Sequence, residues 1–141
     1  MSSIRLDVAF CEYFIITGLW SIVLNDKAKQ IFSRQITLPE VGEKGQEELE
    51  DTGILIVGMG GLGCPVAQYL ISSGIGYLTI MDPDKVELSN ISRQPLYTEE
   101  NVGILKVDAA KDVLSLINPN AVINVAVSYT HLRAHETPRY L

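Results

Sequence analysis

Cysteine is scarce. The 141 residues hold two, Cys11 and Cys64, which form no CxxC pair and cannot between them supply a zinc site. Without a disulfide framework the chain reads as reduced and intracellular. Basic side chains are also few: Lys plus Arg is 11 against 17 Asp plus Glu, a net charge of -6. That balance argues against a broad basic face gripping nucleic acid. Long hydrophobic runs are missing too. The most apolar stretch, residues 9–24, is interrupted by Glu12 and Gly18 and falls short of the roughly 18 residues a membrane span needs. It also lacks the basic start and small-residue cleavage site of a secretion signal. These absences predict a cytoplasmic chain with no membrane and no nucleic-acid partner.

Enough remains to build a core. The hydrophobic fraction is 47% and the charged fraction 20%, which excludes a wholly disordered chain, and the length suits one domain. Residues 1–24 show no clean period and stay unassigned. A short helix is expected over residues 26–32, and Pro39 ends any regular element after it. Residues 40–51 carry six carboxylates (Glu40, Glu43, Glu47, Glu48, Glu50 and Asp51) against the single cation Lys44. A solvated helix face explains that run.

Residues 53–82 are the informative part. Ile54-Leu55-Ile56-Val57 is a continuous apolar run rich in β-branched residues, the pattern of a strand buried on both faces. Gly58-Met59-Gly60-Gly61-Leu62-Gly63 follows at once. Leu62, Val66, Ala67, Leu70 and Ile71 then recur at helical spacing, with Pro65 tolerated in the first turn. Gly74 and Gly76 punctuate the helix end, and Tyr77-Leu78-Thr79-Ile80-Met81 reads as a second strand closed by Asp82. Strand, glycine turn, helix, strand and acid make a βαβ unit with parallel strands. A further helix is expected after Gly103, with Val107, Ala110, Leu114 and Ile117 on one stripe, stopped by Asn118-Pro119-Asn120. Residues 122–127 read as a third strand. The fold class is therefore α/β: a Rossmann-like three-layer arrangement with a mostly parallel sheet, incomplete at three strands.

Gly58, Gly60 and Gly63 satisfy GxGxxG between a strand and a helix. Such a loop lets backbone N–H groups approach a phosphate, aided by the helix dipole. Asp82, at the end of the second strand, is suited to accept from ribose hydroxyls. The plain alternative is a glycine turn needed only for helix–strand packing. The fingerprint by itself fits NAD as well as ATP. Ser89-Asn90-Ile91-Ser92-Arg93-Gln94 lies just past the second strand, and Lys106 opens the next helix. Loops at the carboxyl ends of parallel strands meet at the ligand crevice, so Arg93 and Lys106 would converge on one anionic group. Several cations there suit a triphosphate whose leaving pyrophosphate gains charge; otherwise both are ordinary surface cations. Cys64, at a helix N-terminus, is either a reactive thiol or a small core residue. His131 and His135 have the i, i+4 spacing of metal ligands but no third partner.

Ser33-Arg34-Gln35-Ile36, Gly45-Gln46, Val57 to Cys64 with its glycines, Met81-Asp82-Pro83-Asp84, Leu88 to Gln94, Val102-Gly103, Lys106-Val107 and Ile117-Asn118-Pro119 occur in that order. This series strongly resembles the MoeB/ThiF/HesA family, bacterial relatives of ubiquitin-activating enzymes. The resemblance covers roughly residues 27–127, the N-terminal part of an ATP-binding adenylation domain that we bound at 25–127. It implies ATP- and magnesium-dependent adenylation of the C-terminal glycine of a ubiquitin-like sulfur-carrier protein, as in molybdopterin or thiamine sulfur transfer. It implies that Gly58, Gly60, Gly61 and Gly63 line the phosphates and that Asp82 holds the ribose. Ser89, Asn90 and Arg93 match the nucleotide-touching segment, and Lys106 matches the phosphate-contacting lysine. Arg34 matches an arginine that reaches the ATP of the opposite subunit, which implies a homodimer. Arg34, Arg93 and Lys106 are thus the expected catalytic cations, and no metal ligand is assigned.

Family members run on through a magnesium-binding aspartate and paired CxxC zinc motifs, none of which follows here. Residues 128–141 match nothing in the pattern and look foreign to the domain. Two other functions fit parts of the sequence: an NAD(P)-dependent oxidoreductase domain, and a nucleotide-binding or dimerising fragment without turnover.

Overall fold

The computed structural model describes residues 24–128. Residues 1–23 and 129–141, which hold all but one residue each of the unassigned segment 1–24 and of the segment 128–141 with both histidines, lie outside the described residues.

Three short helices lead in: α1 (Asp26–Ile31), α2 (Ser33–Ile36) and α3 (Gly42–Glu50). Asn25 caps α1, its side-chain oxygen accepting from the Ala28 N–H at 2.9 Å, which satisfies one of the donors a helix start leaves free. The acidic run forms α3. Glu43, Lys44 and Glu48 are solvated, as expected of a charged face. Gln46, however, is completely buried and donates through Nε2 to the Ser73 carbonyl at 2.9 Å. One polar residue of this helix is therefore a packing residue, tying α3 to the end of the helix that follows the glycine turn.

The βαβ reading holds. β1 (Gly53–Val57), α4 (Gly63–Ser72), β2 (Tyr77–Met81), α5 (Lys106–Ile117) and β3 (Val122–Ala126) follow in order, with 3-10 turns at Leu88–Asn90 and Glu99–Asn101. The sheet order is β1-β2-β3, and both pairings are parallel. Ile54 lies beside Leu78, and Leu78 beside Ile123; Ile56 lies beside Ile80. Residues in register share a face, and this face packs against α4 and α5, which also touch each other. Ala67, Ile71, Leu78, Ile80, Val107, Ala110 and Leu114 form its core.

The opposite face overturns one expectation. β1 is not buried on both sides: Leu55 is 37% and Val57 54% exposed. Period-2 alternation sends these two side chains away from the helix layer, and no described element covers them. The third layer of a three-layer fold is thus not among the described residues. The helix stripes also shift. On α4 the buried positions are Cys64, Ala67 and Ile71, whereas Leu62 is 86% exposed and Val66 is also solvated. At about 100° per residue Val66 lies about 200° around the helix from Cys64, so it cannot share the core side. On α5, Val107, Ala110 and Leu114 are buried as expected, but Ile117 is partly solvated in the last turn.

Candidate functional site

The glycine turn leaves the carboxyl end of β1 at a residue that needs unusual backbone. Gly58 has φ +95°, a conformation that costs a residue with a Cβ, and its N–H donates to the Met81 carbonyl at 2.7 Å. At Gly63 a Cβ would collide with the Gly58 carbonyl, so the helix start can sit this close to the turn only as glycine. Gly60 differs: a Cβ there, as at Gly58, would meet nothing within 4 Å. The turn is packed beneath and open above, which is the form a cradle for a ligand requires.

Asp82 stands where expected, at the end of β2, and is 5% exposed. Its Oδ2 accepts the Met59 N–H at 2.7 Å and its Oδ1 accepts the Asp84 N–H at 2.8 Å. The carboxylate thus ties the glycine turn to the chain leaving β2. Each oxygen keeps a further lone pair that can accept a hydrogen bond.

Met59 is held from its other side as well. Its carbonyl accepts from the Tyr97 hydroxyl at 2.8 Å and from the Cys64 thiol at 3.3 Å. The same Tyr97 hydroxyl lies 3.3 Å from the Lys106 carbonyl. Burial pushes both the Cys64 thiol and the Tyr97 phenol above their ordinary pKa. Fully enclosed and protonated, Cys64 lacks the exposed thiolate that a reactive cysteine needs. It is the core residue of the plainer reading.

Lys106 opens α5 with its side chain 9% exposed, and its Nζ pairs with Asp84 Oδ2 at 3.0 Å. Arg93 comes to the glycine turn: a Cβ on Gly61 would lie 3.5 Å from the Arg93 carbonyl oxygen and 3.8 Å from the Arg93 Cγ. Its Nη1 donates to the Ser89 carbonyl at 2.7 Å, leaving the remaining guanidinium donors for an anion. Asn90 is buried, and its Oδ1 accepts the Glu87 N–H at 3.1 Å. It shapes the 3-10 turn that carries Ser89, and its carbonyl accepts the Arg93 N–H at 3.1 Å.

Gly58, Gly60, Gly61, Gly63, Asp82, Arg93 and Lys106 therefore gather at the carboxyl end of the parallel sheet, where Ser89 and Asn90 support Arg93. Arg34 does not join them. It is exposed on α2, and its guanidinium makes no ion pair among the described residues. A hollow of about 340 Å³ lies at the other end of the sheet, lined by Phe32, Gly74, Tyr77 and Asn118, and includes none of the predicted site residues. Two contributors received no role in the sequence reading. Asp84 had a signal, a second carboxylate two residues past Asp82; Tyr97 had none, because its partner Met59 is 38 residues away.

The ThiF family profile matches residues 32–136, a span that takes in the whole glycine turn, Asp82, Arg93 and Lys106. This chain belongs to the ThiF family. Among curated relatives, the molybdopterin-synthase adenylyltransferase of Escherichia coli (strain K12) is 48% identical over 100 residues, covering 71% of this chain and 40% of the relative. The adenylyltransferase and sulfurtransferase MOCS3 of Culex quinquefasciatus is 46% identical over 109 residues, covering 77% of this chain and 24% of the relative. This ThiF-family chain thus spans less than half the length of either. Among solved structures, E. coli tRNA N6-threonylcarbamoyladenosine dehydratase, TcdA, in complex with ATP superposes with a TM-score of 0.70 at 32% identity, covering 77% of this chain and 44% of that one. The Rossmann-like reading of the ThiF-family fold stands.

Proposed function

We propose that residues 25–127 are the nucleotide-binding part of an ATP-dependent adenylyltransferase acting on the C-terminal glycine of a ubiquitin-like sulfur-carrier protein. The observation that carries this reading is the convergence of an open glycine cradle with Arg93 and Lys106 at one end of a parallel sheet. A single anionic tail reaching that end would meet backbone donors and two cations. The names of the curated relatives supply the reaction class.

Adenylation joins a carboxylate oxygen to the α-phosphorus of ATP and breaks the bond to pyrophosphate. The incoming carboxylate is already ionised near pH 7, so no protein base is required. The obstacle is repulsion between two anions and the charge gathered on the departing pyrophosphate. Arg93 and Lys106 offset both and hold the line of attack. Asp82 orients the ribose and keeps the glycine turn in place. Magnesium would enter with the triphosphate and neutralise part of its charge; among the described residues no group of three or more His, Cys, Asp and Glu could hold a metal alone. Arg34, exposed and away from its own cradle, suits a contact to the nucleotide of a second subunit in a homodimer. No described helix is long and apolar enough to cross a membrane, and we place the reaction in the cytoplasm.

Titration of this chain with ATP, followed by ATP–pyrophosphate exchange with a carrier ending in Gly-Gly, tests the reading. Binding and carrier-dependent exchange are expected. ATP binding without exchange would reduce the chain to a nucleotide-binding module, and tight NADH binding that ATP does not displace would overturn adenylation. Arg93→Ala is expected to lower exchange more than ATP affinity, as a contact made mainly in the transition state should.

A further inference from the structure

We propose that Tyr97 is a positioning residue whose hydroxyl holds the glycine turn and the start of α5 at the spacing a nucleotide phosphate tail requires. The inference rests on the nucleotide reading above and adds to it a residue outside the recognised motifs. Two carbonyls meet at one hydroxyl: Met59, inside the glycine turn, at 2.8 Å, and Lys106, at the first position of α5, at 3.3 Å. A phenol has one proton to donate, so the shorter bond to Met59 dominates and the Lys106 carbonyl shares it. Tyr97 is itself buried and packs in the same core as Met59, Cys64 and Val107, so the ring has little room to turn away.

The position of that hydroxyl matters because of what its two partners carry. Met59 is flanked by Gly58 and Gly60, the residues facing the open cradle. Lys106 bears the ammonium paired with Asp84. The Met59 N–H stays bound to Asp82 and its carbonyl keeps the Cys64 thiol, so removing the Tyr97 hydroxyl loosens the turn without releasing it. The turn is then expected to drift relative to α5 while the fold persists. Phosphate oxygens that must touch both elements would lose more than a nucleoside that touches neither cation.

The test is the affinity of the full chain for ATP and for adenosine, measured by calorimetry for the wild type and for Tyr97→Phe. The wild type is expected to prefer ATP. Tyr97→Phe is expected to weaken ATP binding about fivefold, the worth of one buried hydrogen bond, and to leave adenosine within about twofold. Equal losses for both ligands, or no loss for ATP in a folded variant, would overturn the proposal. A purely structural role would lower the unfolding midpoint without changing the ratio of the two affinities. A second measurement needs no variant: with ring-labelled tyrosine, the Tyr97 NMR signal should move on adding ATP and stay still on adding adenosine. A Tyr97 signal indifferent to ATP overturns the proposal whether or not the variant folds. Wild type that binds no ATP at all overturns the nucleotide reading as well, whereas ATP binding with unchanged discrimination in Tyr97→Phe removes this inference alone.

Discussion

Two pairs of glycines at opposite ends of the sheet serve opposite purposes. At the amino end, Gly74 and Gly76 are filled positions: a Cβ on Gly74 would press on Gln46 Nε2 and the Phe32 ring, and one on Gly76 would strike the Glu50 carbonyl. At the carboxyl end, Gly58 and Gly60 look onto empty space. The first pair lets helices and strands close up. The second pair leaves room for something that is not protein. Both ends score alike as glycine-rich loops, and only what lies over each Cα separates packing from binding.

Substitutions can break or sharpen that contrast. The largest effect is expected from Gly76→Ala, which puts a methyl group against immovable backbone. It should lose on the order of 3 kcal/mol in a denaturant titration, and a near-wild-type midpoint would show that the amino end is looser than its geometry implies. Asp82→Ala should follow. It strands the N–H groups of Met59 and Asp84, costing about 1–3 kcal/mol of stability, and should weaken ATP binding more than tenfold; an unchanged ATP affinity would remove Asp82 from the ribose. Lys106→Met should weaken ATP about fivefold with adenosine unaffected, and equal losses for both ligands would place its ammonium away from the phosphates. Gly60→Ala is the sharpest probe of the comparison. The fold should keep its unfolding midpoint while ATP affinity falls severalfold, the reverse of what Gly76→Ala does.

A smaller effect comes from pH. Cys64 and Tyr97 both have raised pKa values caused chiefly by burial. The unfolded chain therefore gives up these protons first, and folded stability declines as pH climbs above about 8.5. The unfolding midpoint should be lower at pH 10 than at pH 7, with a shallower drop in Cys64→Ala. Native Cys64 should also resist iodoacetamide at pH 8 until the chain is denatured.

Local order was legible in the chain, and lateral context was not. The βαβ unit reads directly because each part is specified within a few residues: an apolar run, a glycine that must take φ +95°, a helix and an acid. The burial of β1 could not be read, because an apolar run reports that side chains are hydrophobic and not whether anything lies over them. Leu55 and Val57 are the result. Val66 was misplaced for a related reason: α4 is apolar over much of its circumference, and apolar content alone does not choose which side faces the sheet. Gln46 belongs to the series that carries the family resemblance, but its burial went unforeseen because acidic neighbours dominate the run, although the fold singles it out through Ser73. The rule that strand ends converge placed Arg93 and Lys106 at the carboxyl end of the sheet, and that is where they lie. The Tyr97 bridge depends on where a loop folds back, which no local pattern encodes.

Both peptide groups that meet at Met59 are clamped, one by a carboxylate on the Met59 N–H and the next by a phenol and a thiol on the Met59 carbonyl. A loop so fastened has already surrendered its freedom before any visitor arrives. Little entropy is left to lose at docking, so affinity there should respond less to loop mobility than to the charge the visitor brings.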